Sequence, residues 1–208
     1  LNEYQADNIG LQTNPEYGFG SFLYDEEQQE NLTRLVQVAL KENKFKTKDN
    51  SKLIDLLSQW LVQLQENGGV ENRIPLEAID LLKTDQSSTT ARELLALSSY
   101  FTTNRNWLIG SDAWSYDLGS SGVHSVITSG KNINMLIIDS EPYKEKSLDK
   151  TVNGFRKKDV GLYAMNHGDC YVASVAVYSS YTQVLQAFIE AEKFNGQYIV
   201  LEYLPYPK

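Results

Sequence analysis

Acidic side chains follow two short apolar runs in the second half of the sequence, where they could bind a cation. Asp112 comes two residues after the run 107–110, and Asp139 directly follows the run 133–138. Apolar runs of this length are typical of buried strands, and the carboxyl ends of parallel strands lie at one edge of a sheet. Hard cations bind several oxygens, carboxylates among them. Asp112 could therefore hold a divalent cation, and residues 139–143 could complete its shell with further oxygens.

The residues after Asp112 suggest a second kind of binding. A helix-like stretch, residues 118–128, follows closely, and the free N–H groups at a helix N-terminus can bind a diphosphate. The plainer alternative is that Asp112 or Asp117 only caps that helix, and from the residues alone capping is favoured. Residues 144–150 alternate lysines with acidic residues, which is typical of a solvated loop.

The other candidates for chemistry are the two histidines and the single cysteine. His167 and Cys170 are too close in sequence for their side chains to converge readily as base and nucleophile. We therefore expect a structural or solvent-facing role for both. His124 lies within the predicted helix and has no evident partner.

Composition narrows the class of function. The 208 residues include 19 basic and 27 acidic ones, a net charge of −8, which argues against a nucleic-acid-binding surface. One cysteine cannot build an internal disulfide framework or a cysteine-held cluster, and it suggests a reducing compartment. The chain shows no signal peptide and no apolar stretch near the ~20 residues that span a bilayer. It begins with Leu1 instead of Met, which suggests a piece cut from a longer protein. From the single cysteine and the lack of a spanning stretch, we expect a cytoplasmic protein that does not bind membranes.

The spacing of apolar residues changes near residue 104. Before it, helical spacing predicts helices, one starting at Asn50 and stopping at residues 68–69, with shorter ones near 76–82 and 90–100. After it come four apolar runs of strand length, at residues 107–110, 133–138, 171–177 and 198–203. Helix-like stretches at 118–128 and 182–194 alternate with them.

This alternation predicts an α/β fold, a parallel sheet with helices on both faces, plus an N-terminal helical section. No Gly/Ser/Pro-rich linker separates the helical section, residues 1–104, from the sheet core, residues 105–208. We therefore expect a single domain over residues 1–208.

Four motifs resemble the thiamine-diphosphate domain of the pyruvate:ferredoxin oxidoreductase family. They are NPEYGFG at residues 14–20, GSDAWSYDLG at 110–119, DSEPY at 139–143 and KKDVG at 157–161. The resemblance implies the thiamine-diphosphate-binding-like fold. In that family the second motif binds the cofactor's diphosphate and magnesium ion, and the third helps to complete the metal site. Carried over by position, the resemblance implies these cofactor positions: Asp112, Ser140, the Pro142 carbonyl and Glu145.

The residues at and around these positions depart from that family's pattern. Ser111 and Ala113 stand where the family has glycines, and Glu145 stands where it has a neutral asparagine. The family's glycine-rich segment is missing, and Tyr206 stands where the family has a cysteine that binds an iron–sulfur cluster. Tyrosine cannot replace that thiolate. The departures predict a degenerate site whose cofactor positions are vestigial, with no catalytic residue and no metal.

A closer resemblance is to the β subunits of fungal assimilatory NADPH sulfite reductases. It rests on residues 14–20, 107–119, 137–143, 156–166 and 203–206, and it covers most of the chain from Asn14 to Pro205. In this family Ser111, Ala113 and Pro142 are the expected residues. The resemblance implies a parent enzyme that reduces sulfite to sulfide in sulfate assimilation, with NADPH electrons delivered by a flavoprotein α subunit. Sirohaem and an iron–sulfur cluster are then bound by other parts of the β subunit, and no cofactor is expected in this chain.

Three functions remain open from the sequence. The first is a non-catalytic structural domain that contacts the rest of the β subunit or the flavoprotein α subunit. The second is a working thiamine-diphosphate and magnesium domain of a 2-oxoacid (pyruvate):ferredoxin oxidoreductase, which rests on Asp112. The third is a regulatory module that binds another anion in the vacated crevice; it ranks last because Asp112 repels anions.

Overall fold

The computed structural model describes residues 14–42, 45, 49–67, 69–85, 88–102, 107–119, 121–139, 157–167 and 169–204. These residues form two compact units. Residues 22–102 make the helical unit, and residues 14–21 together with 107–204 make the sheet unit. The boundary coincides with the change of apolar spacing near residue 104. That the two units act as one domain remains a prediction.

The helical unit is built around apolar stripes of helical spacing. Its described helices are α1 (Pro15–Glu42, whose first turns belong to the sheet unit), α2 (Asn50–Asn67), α3 (Arg73–Thr84) and α4 (Thr89–Ala96), followed by a 3₁₀ turn, Ser98–Phe101. The side chains of Leu32, Leu57 and Trp60 are fully buried in its core. The Trp60 indole donates a hydrogen bond to the Phe101 carbonyl at 2.7 Å. Helix α2 begins and ends where the sequence predicts.

The sheet unit holds a four-stranded, all-parallel sheet. Its strands are β1 (Trp107–Ser111), β2 (Asn134–Asp139), β3 (Cys170–Ala176) and β4 (Gln197–Tyr203), in the order β1-β2-β4-β3. Each predicted strand agrees with the structure to within one residue at both ends. The register aligns Ser111 with Ile138 and Asp139 with Tyr203, so the ends of β1, β2 and β4 lie at one edge.

Helices cover both faces of the sheet, which confirms the predicted α/β class. The described helices of this unit are α5 (Val123–Thr128), α6 (Val160–Met165) and α7 (Tyr181–Lys193). Helix α7 packs on the face that carries Val175 and Val200. Gly161 of α6 lies against Leu201 and Val172, which point to the opposite face because side chains alternate along a strand. In the parts of the chain that the structure describes, no helix has both the length and the apolar character needed to cross a membrane.

Two details differ from the sequence prediction. The predicted helix 118–128 is wrong in its first half, because only α5 is helical and residues 118–119 and 121–122 form turns. Gly122 interrupts it with a φ of +78°, a left-handed conformation that glycine adopts freely. Helix α6 was not predicted, although Asp159 gives the usual signal for a helix start: its carboxylate accepts a hydrogen bond from the Leu162 N–H at 2.9 Å.

Candidate functional site

Asp112 lies at the carboxyl edge of the sheet, directly after β1. It opens a four-residue 3₁₀ turn, Asp112–Ser115, and its side chain is only 2% exposed. The hydroxyl of Ser111 caps this turn by accepting a hydrogen bond from the Ala113 N–H at 3.3 Å. The interpretation that Asp112 serves as a helix cap is therefore wrong, and its buried carboxylate needs another explanation.

Lys157 supplies that explanation by joining the two strand ends. Its ammonium nitrogen lies 3.3 Å from Oδ2 of Asp112 and 2.5 Å from Oδ2 of Asp139. Asp139 ends β2, the neighbour of β1, so the two carboxylates meet as the sequence suggests. The cation between them comes from the chain itself, because Lys157 lies three residues before α6. In the sequence, Lys157 stands out only as part of the motif at residues 157–161, which gives no sign of this contact.

Lys157 supplies a positive charge that the carboxylates of Asp112 and Asp139 share. Partial burial disfavours the charged form of Lys157, but hydrogen bonding and attraction from Asp139, and then from Asp112, raise its pKa above the usual value. Oδ1 of Asp112 is buried and has no hydrogen-bond partner among the described residues. A buried charge is tolerated only when it is paired, so Lys157 is what allows Asp112 to be buried here.

The described residues do not by themselves fit a magnesium ion. Mg²⁺ needs a near-octahedral shell of oxygens. Here Asp112 and Asp139 both bind Lys157, whose ammonium lies where a shared cation would have to be. Within the described ranges, no three His, Cys, Asp or Glu side chains are grouped as a metal site. The other expected cofactor positions, Ser140, Pro142 and Glu145, lie outside the described residues.

The turn after β1 also differs from a diphosphate cradle. The expected helix N-terminus beside Asp112 is a short 3₁₀ turn. Its Ala113 N–H donates to the Ser111 hydroxyl, and its C-terminal end is closed by the Tyr116 N–H, which donates to the Ala113 carbonyl. The Trp114 indole folds back over Gly110, where an added Cβ would lie 2.1 Å from its Cζ2 atom. The Lys158 N–H fixes the end of the turn by donating to the Ser115 carbonyl at 2.9 Å. The prediction of a helix N-terminus at this point is therefore wrong.

Cys170 and His167 do not form a nucleophilic pair. Burial raises the pKa of the half-buried Cys170 thiol to about 11, so little of the reactive thiolate exists near neutral pH. His167 is exposed, as expected. His124, expected to have no evident partner, has its Nδ1 atom 2.5 Å from the Tyr163 hydroxyl. No sequence signal links His124 to a residue so far along the chain.

Sequence comparison with known proteins tests the resemblance that the motifs suggest. No protein-family model matches the chain. It is 48% identical to sulfite reductase (NADPH) subunit beta of Saccharomyces cerevisiae, over 99% of the chain and 14% of that protein. The corresponding subunit of Schizosaccharomyces pombe is 44% identical, over 92% of the chain and 13% of the protein. The pyruvate-flavodoxin oxidoreductase of a Nostoc species is 33% identical, over 94% of the chain and 17% of the protein.

The similarity therefore extends along almost the entire chain, while the chain spans only about one seventh of the sulfite reductase subunits that it matches. The higher identity to the sulfite reductases and the lower identity to a pyruvate oxidoreductase confirm the two levels of resemblance seen in the motifs. Over nearly its whole length, the chain is homologous to one segment of the sulfite reductase (NADPH) β subunits and, more distantly, to the pyruvate oxidoreductases.

Proposed function

We propose that the chain is a non-catalytic structural domain of a sulfite reductase (NADPH) β subunit. The parent enzyme reduces sulfite to sulfide in sulfate assimilation. The observation that carries the proposal is the ammonium of Lys157 between the carboxylates of Asp112 and Asp139. In this proposal Asp112, Ser140, Pro142 and Glu145 are vestigial cofactor positions. Sirohaem, the iron–sulfur cluster, flavin and NADPH are bound elsewhere in the enzyme, which we place in the cytoplasm.

The physical reason is competition for one position. A magnesium ion at this edge has to displace the ammonium of Lys157, which two carboxylates hold. The carboxylate of Asp112 is buried, and its Oδ2 atom, the one that has a partner among the described residues, is paired with that ammonium. Without the metal, the carboxylates of Asp112 and Asp139 oppose the binding of a diphosphate. Lys157 therefore provides the charge balance that a bound cation provides in a working cofactor site.

The exposed face of α7 supports a contact role. Tyr181, Leu185 and Ile189, here called the α7 stripe, recur every four residues and are 72%, 61% and 40% exposed. An exposed row of large apolar side chains is typical of an interaction surface. Since the chain spans about one seventh of its relatives, most of such a subunit lies outside it. We assign the α7 stripe to contact with another domain of the same β subunit; the flavoprotein α subunit is the second proposed partner.

Calorimetric titration of the chain with thiamine diphosphate and Mg²⁺ tests the non-catalytic role. We expect no heat of binding. In the whole sulfite reductase, we expect Asp112→Asn to leave the rate of sulfite reduction per folded enzyme unchanged. A micromolar binding isotherm that Asp112→Asn abolishes would contradict the proposal.

A second candidate function is a working thiamine-diphosphate and magnesium domain of a pyruvate oxidoreductase. One observation favours it: Oδ1 of Asp112 is buried without a hydrogen-bond partner among the described residues, as a metal ligand would be in the absence of its metal. The same titration separates the two functions, because this one requires tight binding that depends on both Mg²⁺ and Asp112.

A further inference from the structure

The two histidines of the chain lie together on the surface of the sheet unit. His124 belongs to α5, and His167 follows α6 by two residues. Their ring centroids are 5.7 Å apart, and the ring planes are nearly perpendicular, at 81°. The ring of Tyr163, on α6, contacts both, with centroids 6.0 Å from His124 and 4.4 Å from His167. Both imidazoles are solvent-exposed.

Tyr163 contacts the Nδ1 atom of each histidine through one of its oxygens. Nδ1 of His167 lies 2.9 Å from the Tyr163 backbone carbonyl. A carbonyl can only accept, so this Nδ1 carries the proton and Nε2 keeps its lone pair. Nδ1 of His124 pairs with the Tyr163 hydroxyl, and its Nε2 atom lies on the other side of the ring. Both Nδ1 atoms are therefore engaged by Tyr163. Nε2 of His124 has its lone pair in the tautomer whose Nδ1 donates to the Tyr163 hydroxyl, and in that tautomer each Nε2 is the atom that can bind a ligand.

We propose that His124 and His167 bind one borderline transition-metal ion, of which Zn²⁺ is the simplest example, through their Nε2 atoms. Neutral imidazole is the ligand that zinc, copper and nickel favour. Metal-bound histidines usually donate their other ring N–H to an oxygen that fixes the ring, and Tyr163 offers one oxygen to each. Tyr163 is a positioning residue in this site, and water completes the coordination.

The separation of the rings agrees with one shared ion. With a zinc–nitrogen distance of about 2.1 Å, the ion lies roughly 3.2 Å from the centroid of each bound ring. Two rings on one ion then have centroids at most roughly 6.4 Å apart, so the observed 5.7 Å is within reach. The site is chemically unlike the edge at Asp112, whose oxygens suit hard cations.

Calorimetric titration of the untagged 208-residue chain with Zn²⁺ tests this site. We expect one Zn²⁺ per chain and no binding of Mg²⁺. His124→Ala and His167→Ala should each weaken zinc binding by about a hundredfold or more. Tyr163→Phe keeps the aromatic ring and the backbone carbonyl that orients His167, so it should weaken binding by about 10-fold to 100-fold. Co²⁺ should give the visible absorption bands of histidine coordination, and both alanine variants should lose them.

Cys170→Ser is the matched control, because the contacts of the described residues do not join this thiol to either histidine. We expect this variant to keep wild-type zinc affinity. Circular dichroism should show that every variant is folded. The proposal is overturned by any one of four results: no binding to the wild-type chain, undiminished binding to the His124→Ala, His167→Ala double variant, loss of binding in Cys170→Ser, or one ion per two chains.

Discussion

The ammonium of Lys157 lies 3.3 Å from Oδ2 of Asp112, a carboxylate that is only 2% exposed. Asp112 directly follows β1 and Lys157 lies three residues before α6, and Asp139 at the end of β2 shares the same ammonium. This arrangement binds the end of β1 to the start of α6 through charge.

Removing the ammonium should destabilise the sheet unit. Lys157→Met leaves the buried carboxylate of Asp112 without its partner, so we expect the free energy of unfolding to fall by about 2 kcal/mol. Chemical denaturation measures this change. Lys158→Met is the control, because Lys158 is an exposed neighbour; it should change stability by less than about 0.5 kcal/mol. Equal effects of the two substitutions would show that the ion pair contributes nothing.

The same ion pair predicts a dependence on alkaline pH. The pKa of Lys157 is raised above its usual 10.5 in the folded chain, mainly by Asp139 once the opposing effect of burial is overcome. A raised pKa gives stability that is complete below the unfolded pKa and is lost as pH rises through the folded one. The stability difference between wild type and Lys157→Met should therefore be constant from pH 8 to 9 and shrink above pH 10.5. A difference that grows with alkalinity would refute the assigned direction.

Cys170 should react slowly with alkylating reagents. A pKa of about 11 leaves roughly a hundredfold less thiolate at pH 8 than an ordinary cysteine has. We expect alkylation by iodoacetamide at pH 8 to be at least about tenfold slower than in the urea-unfolded chain, which is the internal control. The rate should keep rising with pH past 9. Since the chain has one cysteine, mass spectrometry reads the reaction without ambiguity.

Gly110 should not tolerate a methyl group. An alanine Cβ there would lie 2.1 Å from Cζ2 of Trp114, whose buried ring cannot move away without repacking. We expect Gly110→Ala to lower the free energy of unfolding by about 2 kcal/mol or more. Gly20→Ala on α1 is the matched control: no atom lies within 4 Å of its added Cβ, and alanine favours helix, so stability should rise by up to about 1 kcal/mol. Thermal denaturation compares them.

The α7 stripe can be tested in two contexts. In the 208-residue chain, Leu185→Ser changes an exposed side chain and should alter stability by less than about 0.5 kcal/mol. In the complete β subunit, the proposed contact buries Leu185, and the same change should cost about 2 kcal/mol. Gln183→Ser, an exposed polar position on α7, should be silent in both. Equal, small effects of Leu185→Ser in both contexts would contradict the proposal that the α7 stripe is a contact surface.

The sequence predicts the strands well because strands of a sheet covered on both faces are nearly continuous apolar runs. It predicts helix α5 poorly, because the turn that delays it depends on the left-handed conformation of Gly122, which spacing does not reveal. The ion pair of Lys157 and the contact between His124 and His167 could not be read from the sequence. Both contacts join residues that are distant in sequence and come together only in the folded sheet unit. The position of Lys157 within a motif does not reveal which carboxylates its long side chain contacts.

The last strand of the chain occupies an inner place in the sheet, since β4 lies between β2 and β3. Among the described strands, β3 therefore has no neighbour to pair with during synthesis, and β2 has only β1, until residues 197–203 leave the ribosome. A truncation before residue 197 removes the strand that joins the two halves of the described sheet, so a shortened version of the chain must keep β4 to yield a folded sheet.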